Sequence, residues 1–135
     1  MSEEVFIDTS AFYAALVPED RYHGAARTIL GDLEREGPVL VSSSFVVLET
    51  ASLLQARIGI EATRRFHESF VPLIELEWIR EGIYQRSMAA LLAASRRLVS
   101  LTDWSSFEVM RGRGIQRAFA FDSHFTEQGF VLERT

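Results

Sequence analysis

The sequence predicts an α/β fold, a short parallel sheet covered by helices on both faces. Two observations predict it. Short apolar runs alternate along the chain with longer stretches of helical periodicity. The short runs are apolar throughout instead of alternating with polar residues, the pattern of strands buried on both faces.

Each element follows in order. Val5, Phe6 and Ile7 form a first strand that ends at Asp8. Residues 10–16 form a short helix, broken near Pro18. Residues 21–34 have helical spacing, with Ala25, Ile29 and Leu33 on one face, and Gly37-Pro38 punctuates them. A second strand is expected over 39–41, a helix over 44–57 stopped by Gly59, and another over 61–70 ending near Pro72. A strand at 74–78 leads into a long helix over 79–96, with Met88, Leu91 and Leu92 on its apolar side. Residues 98–101 are expected as a strand stopping at Thr102-Asp103, followed by a helix over 105–113 with Gly114 behind it. Strands at 118–121 and 130–132 close the chain. Ligands of such sheets bind outside the carboxyl ends of the strands.

At 135 residues the chain is expected to be one domain, 1–135, with no linker or repeat. The start, Met1-Ser2-Glu3-Glu4, is acidic with no long apolar run behind it, which argues against a signal peptide. No stretch approaches the roughly 20 apolar residues of a membrane span, and cysteine is absent, which removes disulfides and thiolate metal sites. The cytoplasm is the expected compartment. All 14 basic residues are arginine. Without lysine there is no P-loop and no Schiff-base chemistry. The formal charge of −5 runs against the basic footprint of a nucleic-acid binder. A metal site changes that count, because 14 arginines against the 15 acids outside the set below leave only −1.

Four acids stand alone. Asp8 is the only charged residue between Glu4 and Glu19, Asp103 between Arg97 and Glu108, and Asp122 between Arg117 and Glu127. Glu49 shares 39–60 only with Arg57 and lies on one helix face with Phe45, Val46 and Leu53. Burying an unpaired charge is costly. Three of the four are expected at carboxyl ends of strands, along one sheet edge. Aspartate is also a favoured helix N-cap, and capping explains any one of the three taken singly. It does not explain Glu49 in mid-helix. Like charges about 4 Å apart repel by roughly 4 kcal/mol at an effective dielectric near 20, so protons or a cation must accompany such a set. Oxygen donors suit Mg²⁺ or Mn²⁺. The histidines, His23, His67 and His124, are too scattered to suggest zinc. A carboxylate cage on an α/β sheet suits Mg²⁺-dependent phosphodiester cleavage.

"VFIDTSAFYAAL", "DRYHGAA", "SSSFVVLETASLLQARIG", "SLTDWSSFEVMRGRGI" and "AFAFDSHFTEQGF" together, in this order, resemble the motifs of PIN domains, specifically the VapC-type toxin ribonucleases of prokaryotes. The resemblance covers nearly the whole chain; residues 59–97 match only in general pattern. It implies a three-layer α/β/α sandwich with a short central parallel sheet, a Mg²⁺- or Mn²⁺-dependent endoribonuclease, a homodimer and no membrane. It implies an RNA substrate, with tRNA or another structured RNA among the candidates, and a cognate antitoxin that occupies the site. On this reading Asp8, Glu49, Asp103 and Asp122 are the catalytic and metal-holding residues. Asp8 and Asp103 are placed as direct ligands and Asp122 as acting through water. Ser10 and Ser106 are expected to hydrogen-bond a carboxylate or a metal-bound water, with helix capping as their alternative; Ser105 and Glu108 have the spacing of a capping box. Trp104 is weighed between stacking on a base and packing in the first helical turn. His124 is weighed between substrate contact and a structural role. Arg111, Arg113 and Arg117 are weighed between phosphate contacts and a solvated face.

A haloacid-dehalogenase-type phosphatase needs an acid where Ser10 stands, and a lysine. A phospho-accepting receiver domain also needs lysine. The non-enzyme alternative is a catalytically silent PIN-like module that binds RNA or protein.

Overall fold

The computed structural model describes residues 3–134. Met1, Ser2 and Thr135 lie outside the described residues, and the first two belong to the stretch read for a leader. The strands are β1 (Glu4–Ile7), β2 (Val39–Ser43), β3 (Glu75–Glu77), β4 (Arg117–Phe119) and β5 (Val131–Leu132). They form one parallel sheet of order β3-β2-β1-β4-β5. The helices are α1 (Thr9–Leu16), α2 (His23–Glu36), α3 (Ser44–Arg57), α4 (Ile60–Arg65), α5 (Glu81–Ala94), α6 (Leu101–Arg113) and α7 (His124–Glu127). They flank the sheet in an α/β arrangement.

β1 lies at the centre. Val5, Phe6 and Ile7 are at most 2% exposed, so consecutive side chains are buried on both faces, as their unbroken apolar run requires. Each such side chain contributes roughly 1.5–3 kcal/mol of burial. From β1 the chain winds outward through β2 to β3, then returns past β1 to build β4 and β5. The winding therefore reverses between β1 and β4. In open α/β sheets that reversal opens a crevice at the carboxyl edge. The Asp8 N–H donates to the Phe119 carbonyl at 3.0 Å and locks the two strand ends together there.

Three expectations need correction. Residues 98–101 are not a strand. Ser100 caps α6, and Leu98 is 80% exposed while Val99 is 1% exposed. A run of apolar residues and one serine imitates a buried strand, but Ser100 and Asp103 form a capping box that starts the helix at Leu101. The helix expected over 61–70 is divided into α4, a π-helical turn Phe66–Phe70 and a 3₁₀ turn Val71–Leu73. Phe66 and Phe70 both pack edge-on against Phe12 in that wider turn. α5 ends at Ala94, with Ser95 in the left-handed region at φ 54°. It packs through the narrow stripe Ile83, Ser87, Ala90, Leu91 and Ala94, so Leu92, about 100° off that line, is 69% exposed instead of facing the core. On α2 the buried line is Ala26, Ile29 and Leu33, with Ala25 at its margin. No helix among the described residues is long and apolar enough to cross a membrane.

Candidate functional site

Asp8 leaves the carboxyl end of β1 and caps α1. Its Oδ2 accepts from the Ser10 N–H at 3.1 Å and from the Ser10 hydroxyl at 2.7 Å. The same hydroxyl oxygen accepts from the Phe121 N–H at 3.0 Å, so Ser10 ties the exit of β4 to the Asp8 carboxylate. Asp8 is 4% exposed. Burial pushes its carboxyl up to about 7; the Ser10 hydroxyl bond opposes this, and the charges of Asp103 and Asp122 add to it.

Asp103 comes from the first turn of α6 and not from a strand end. Its Oδ2 accepts from the Ser100 N–H at 3.0 Å, while the Ser100 hydroxyl accepts from the Asp103 N–H at 3.0 Å. Burial again raises the carboxyl above its ordinary range, against the Ser100 hydrogen bond and with help from Asp122. Asp122 stands three residues beyond β4, where its Oδ1 accepts from the His124 N–H at 2.8 Å. Glu49 projects from α3, half-buried, and lines the same cleft as the three aspartates. Among the described residues it makes no side-chain hydrogen bond or ion pair.

His124 stands closer to this set than its place in the sequence suggested. Its Nδ1 lies 3.0 Å from Glu127 Oε1 and its Nε2 lies 3.6 Å from Asp122 Oδ1. Burial pulls the imidazolium pKa down, but the Glu127 hydrogen bond and the charges of Asp122 and Asp103 outweigh it, and the net shift is upward. One donor atom each from Asp103, Asp122 and His124 lies within 4.8 Å of the others. Among the described residues no arginine forms an ion pair with Asp8, Glu49, Asp103 or Asp122. Several carboxylates share one cleft without an arginine partner, and burial raises two of them, Asp8 and Asp103. That donor set fits a divalent cation.

Residues 5–131 match the model of the PIN domain. The chain belongs to the PIN domain family. It is 34% identical over 132 residues to the 23S rRNA-specific endonuclease VapC20 of Mycobacterium tuberculosis (strain H37Rv), covering 96% of this chain and 98% of that one. The crystal structure of M. tuberculosis VapC20, described as a sarcin–ricin loop cleaving toxin, superposes with a TM-score of 0.88 at 31% identity, over 97% of this chain and 99% of that one. FitAcB of Neisseria gonorrhoeae shares the fold, with a TM-score of 0.68 at 14% identity over 96% of each chain.

Other residues of this PIN domain have structural places and not places at the carboxylates. The Ser106 hydroxyl donates to the Thr102 carbonyl at 3.0 Å within its own helix and makes no bond to a carboxylate. The Ser105 hydroxyl does the same at 2.7 Å, and the capping box of α6 is Ser100–Asp103, not Ser105–Glu108. Trp104 is 8% exposed, edge-on to Phe107 at 5.4 Å, so its ring packs in the core and offers no face to a base. Arg113 and Arg117 sit at the amino edge of the sheet, opposite the carboxylates. Arg113 holds Glu4, Glu75 and Glu77; Arg117 holds Glu3, Glu36 and Glu133. Arg111 lies over the Phe130 ring and bonds Gln128.

The cationic and aromatic groups beside the cleft are different ones. The Arg57 guanidinium lies 5.9 Å from the Tyr13 ring centre, and both line the cleft. Arg21 lies 4.6 Å from the ring centre of Tyr22, which stacks on Phe121 at 4.6 Å. Sequence spacing held a signal for Arg57: Glu49, Leu53 and Arg57 repeat at i, i+4 and i+8, hence on one face of α3.

Proposed function

We propose that this PIN domain, working as one unit over residues 1–135, is a divalent-metal-dependent endoribonuclease of the VapC type and the toxin of a toxin–antitoxin pair. The observation that carries the proposal is the meeting of Asp8, Glu49, Asp103 and Asp122 at the reversal point of the sheet. They arrive from four separate elements and have no arginine partner among the described residues. Ribosomal RNA is the favoured substrate class, because it is the one in the name of the VapC20 relative.

When bound there, Mg²⁺ or Mn²⁺ supplies a water of lowered pKa and neutralises charge developing on phosphorus. The rest falls to the chain. Asp8, Glu49, Asp103 and Asp122 would hold the ion or its waters, Asp103 and Asp122 having donor atoms close enough to share it. Ser10 fixes Asp8 through Oδ2, and the Ser100 N–H fixes Asp103. Tyr13 offers a ring edge in the cleft to an unstacked base, and Arg57 offers a guanidinium to phosphate.

The test is cleavage of total RNA, purified rRNA and pooled tRNA with Mg²⁺, Mn²⁺ or EDTA, with Asp103→Asn alongside. Cutting in metal is expected, lost in EDTA and reduced by more than about 100-fold in the variant, beyond the usual effect of losing an outer-shell partner. Full cutting by folded Asp103→Asn would refute the proposal. Arg57→Ala is expected to weaken RNA binding by an inactive variant and to lower the slope of log affinity against log salt by about 0.7, the loss of one single-strand phosphate contact. Fluorescence titration at several salt concentrations measures both, and an unchanged slope would remove Arg57 from the phosphate path.

A further inference from the structure

The triangle of Asp103, Asp122 and His124 contains a nitrogen that an all-carboxylate site does not use. His124 Nδ1 is 3.0 Å from Glu127 Oε1, and Glu127 Oε2 is held by Arg96 at 3.0 Å. A ring nitrogen hydrogen-bonded to a carboxylate keeps its proton, so a cation would compete only for the other nitrogen and would displace the proton there on binding. Metal-binding histidines characteristically have this arrangement, with an outer carboxylate fixing tautomer and ring orientation. Here Nε2 is the nitrogen left, on the side of the carboxylates and 3.6 Å from Asp122 Oδ1. That separation is too long for a hydrogen bond, yet it suits two ligands each about 2.0–2.2 Å from one ion. The donor atoms of Asp103, Asp122 and His124 all fall within 4.8 Å of one another.

A carboxylate oxygen of the same cleft is also open. Asp8 is 4% exposed, and both of its side-chain hydrogen bonds use Oδ2. Among the described residues its Oδ1 has no hydrogen-bond partner, although the residue lines the cleft.

We propose that His124 Nε2 is a donor to the cation of this cleft, beside Asp103 and Asp122, which makes the site a mixed oxygen–nitrogen centre. Arg96 and Glu127 are positioning residues that hold the imidazole in its donating tautomer. The inference rests on the cleft being a metal site. Its consequence is selectivity. Oxygen donors suit both Mg²⁺ and Mn²⁺, but Mn²⁺ belongs to the first-row series that accepts nitrogen ligands, where Mg²⁺ demands near-ideal octahedral oxygen coordination. Mn²⁺ is therefore favoured over Mg²⁺ by more than carboxylates alone would give, and His124 carries the difference.

The experiment uses the whole protein loaded with Mn²⁺, with no RNA present. Pulsed EPR is expected to show ¹⁴N coupling from a bound imidazole in the native sequence. The chain has three histidines, so loss of the coupling in His124→Ala would assign it. Calorimetry is expected to show Mn²⁺ affinity falling by about tenfold or more in that variant, and Mg²⁺ affinity changing much less. Glu127→Gln is expected to weaken Mn²⁺ in the same direction by a smaller factor. Bound Mn²⁺ without ¹⁴N coupling would overturn the inference and leave the carboxylate site standing, and so would coupling that persists in His124→Ala. Absence of any Mn²⁺ or Mg²⁺ binding would overturn both. The native-sequence spectrum decides the matter even if His124→Ala fails to fold.

Discussion

Asp8→Asn is expected to abolish activity and, in EDTA at pH 8, to raise the melting temperature by several degrees. The gain follows from the displaced carboxyl. In the folded chain Asp8 titrates at about 7, against 3.8 ordinarily, chiefly because it is buried. Between those values the folded state holds a proton that the unfolded state has released, so stability falls as pH rises through this window. The stability associated with the group is greatest below about pH 4 and lost by about pH 7. A displacement of about three units corresponds to roughly 4 kcal/mol. An amide at this position has no charge to bury and still presents an oxygen to the Ser10 N–H. The two proteins should therefore differ most in EDTA at pH 8 and converge towards pH 4. Mg²⁺ should narrow the gap without closing it, since an ion at 100 times its dissociation constant adds about 2.7 kcal/mol to the native state that binds it. Differential scanning calorimetry at two pH values, with and without Mg²⁺, makes all four comparisons. A lower melting temperature for Asp8→Asn at pH 8 in EDTA would contradict the account.

Arg117→Ala is expected to cost about 2 kcal/mol of stability without touching the cleft. Arg117 makes a two-pronged contact with Glu133, at 2.9 and 2.7 Å, and reaches Glu3 at 2.6 Å and Glu36 at 3.3 Å. Glu3 and Glu36 are mostly solvated, and such pairs contribute little. Glu133 is the residue that matters, because its side chain is 13% exposed. Removing the guanidinium leaves that carboxylate half-desolvated and unpaired, which is worse than having neither group. The double variant Arg117→Ala/Glu133→Gln should therefore be more stable than Arg117→Ala alone. Urea midpoints of the native sequence and the variants form the cycle, and equal midpoints for the two Arg117 variants would refute the argument.

The four carboxylates were legible in the sequence because each interrupts an apolar neighbourhood, and the cost of desolvating a charge makes that pattern meaningful. The same reasoning left the arginines open between phosphate contacts and a solvated face. Arg111, Arg113 and Arg117 are 8 to 14 positions after Asp103, but α6 rises about 1.5 Å per residue over 13 residues and carries the chain some 20 Å to the opposite sheet edge. Residues 98–101 misled for another reason. Strand and cap are told apart there by whether Leu98 is buried, a tertiary property. Asp103 keeps its place despite that misreading, because a helix starting at the cleft delivers it as a strand ending there would. His124 was hidden because a residue two after an aspartate reads as part of a cap, and it is both capped by Asp122 and turned towards it.

Three of the four acids also serve the backbone. Asp8 receives the Ser10 N–H, Asp103 the Ser100 N–H and Asp122 the His124 N–H. A lineage that abandoned cutting would still be under pressure to keep these three, since each holds a turn or a helix start. Their persistence in a descendant is thus a poor sign of surviving activity. Glu49 has no such second employment among the described residues. On the proposed function it is the position expected to drift in a related chain once the chemistry is gone, and its identity there is expected to separate working copies from retired ones.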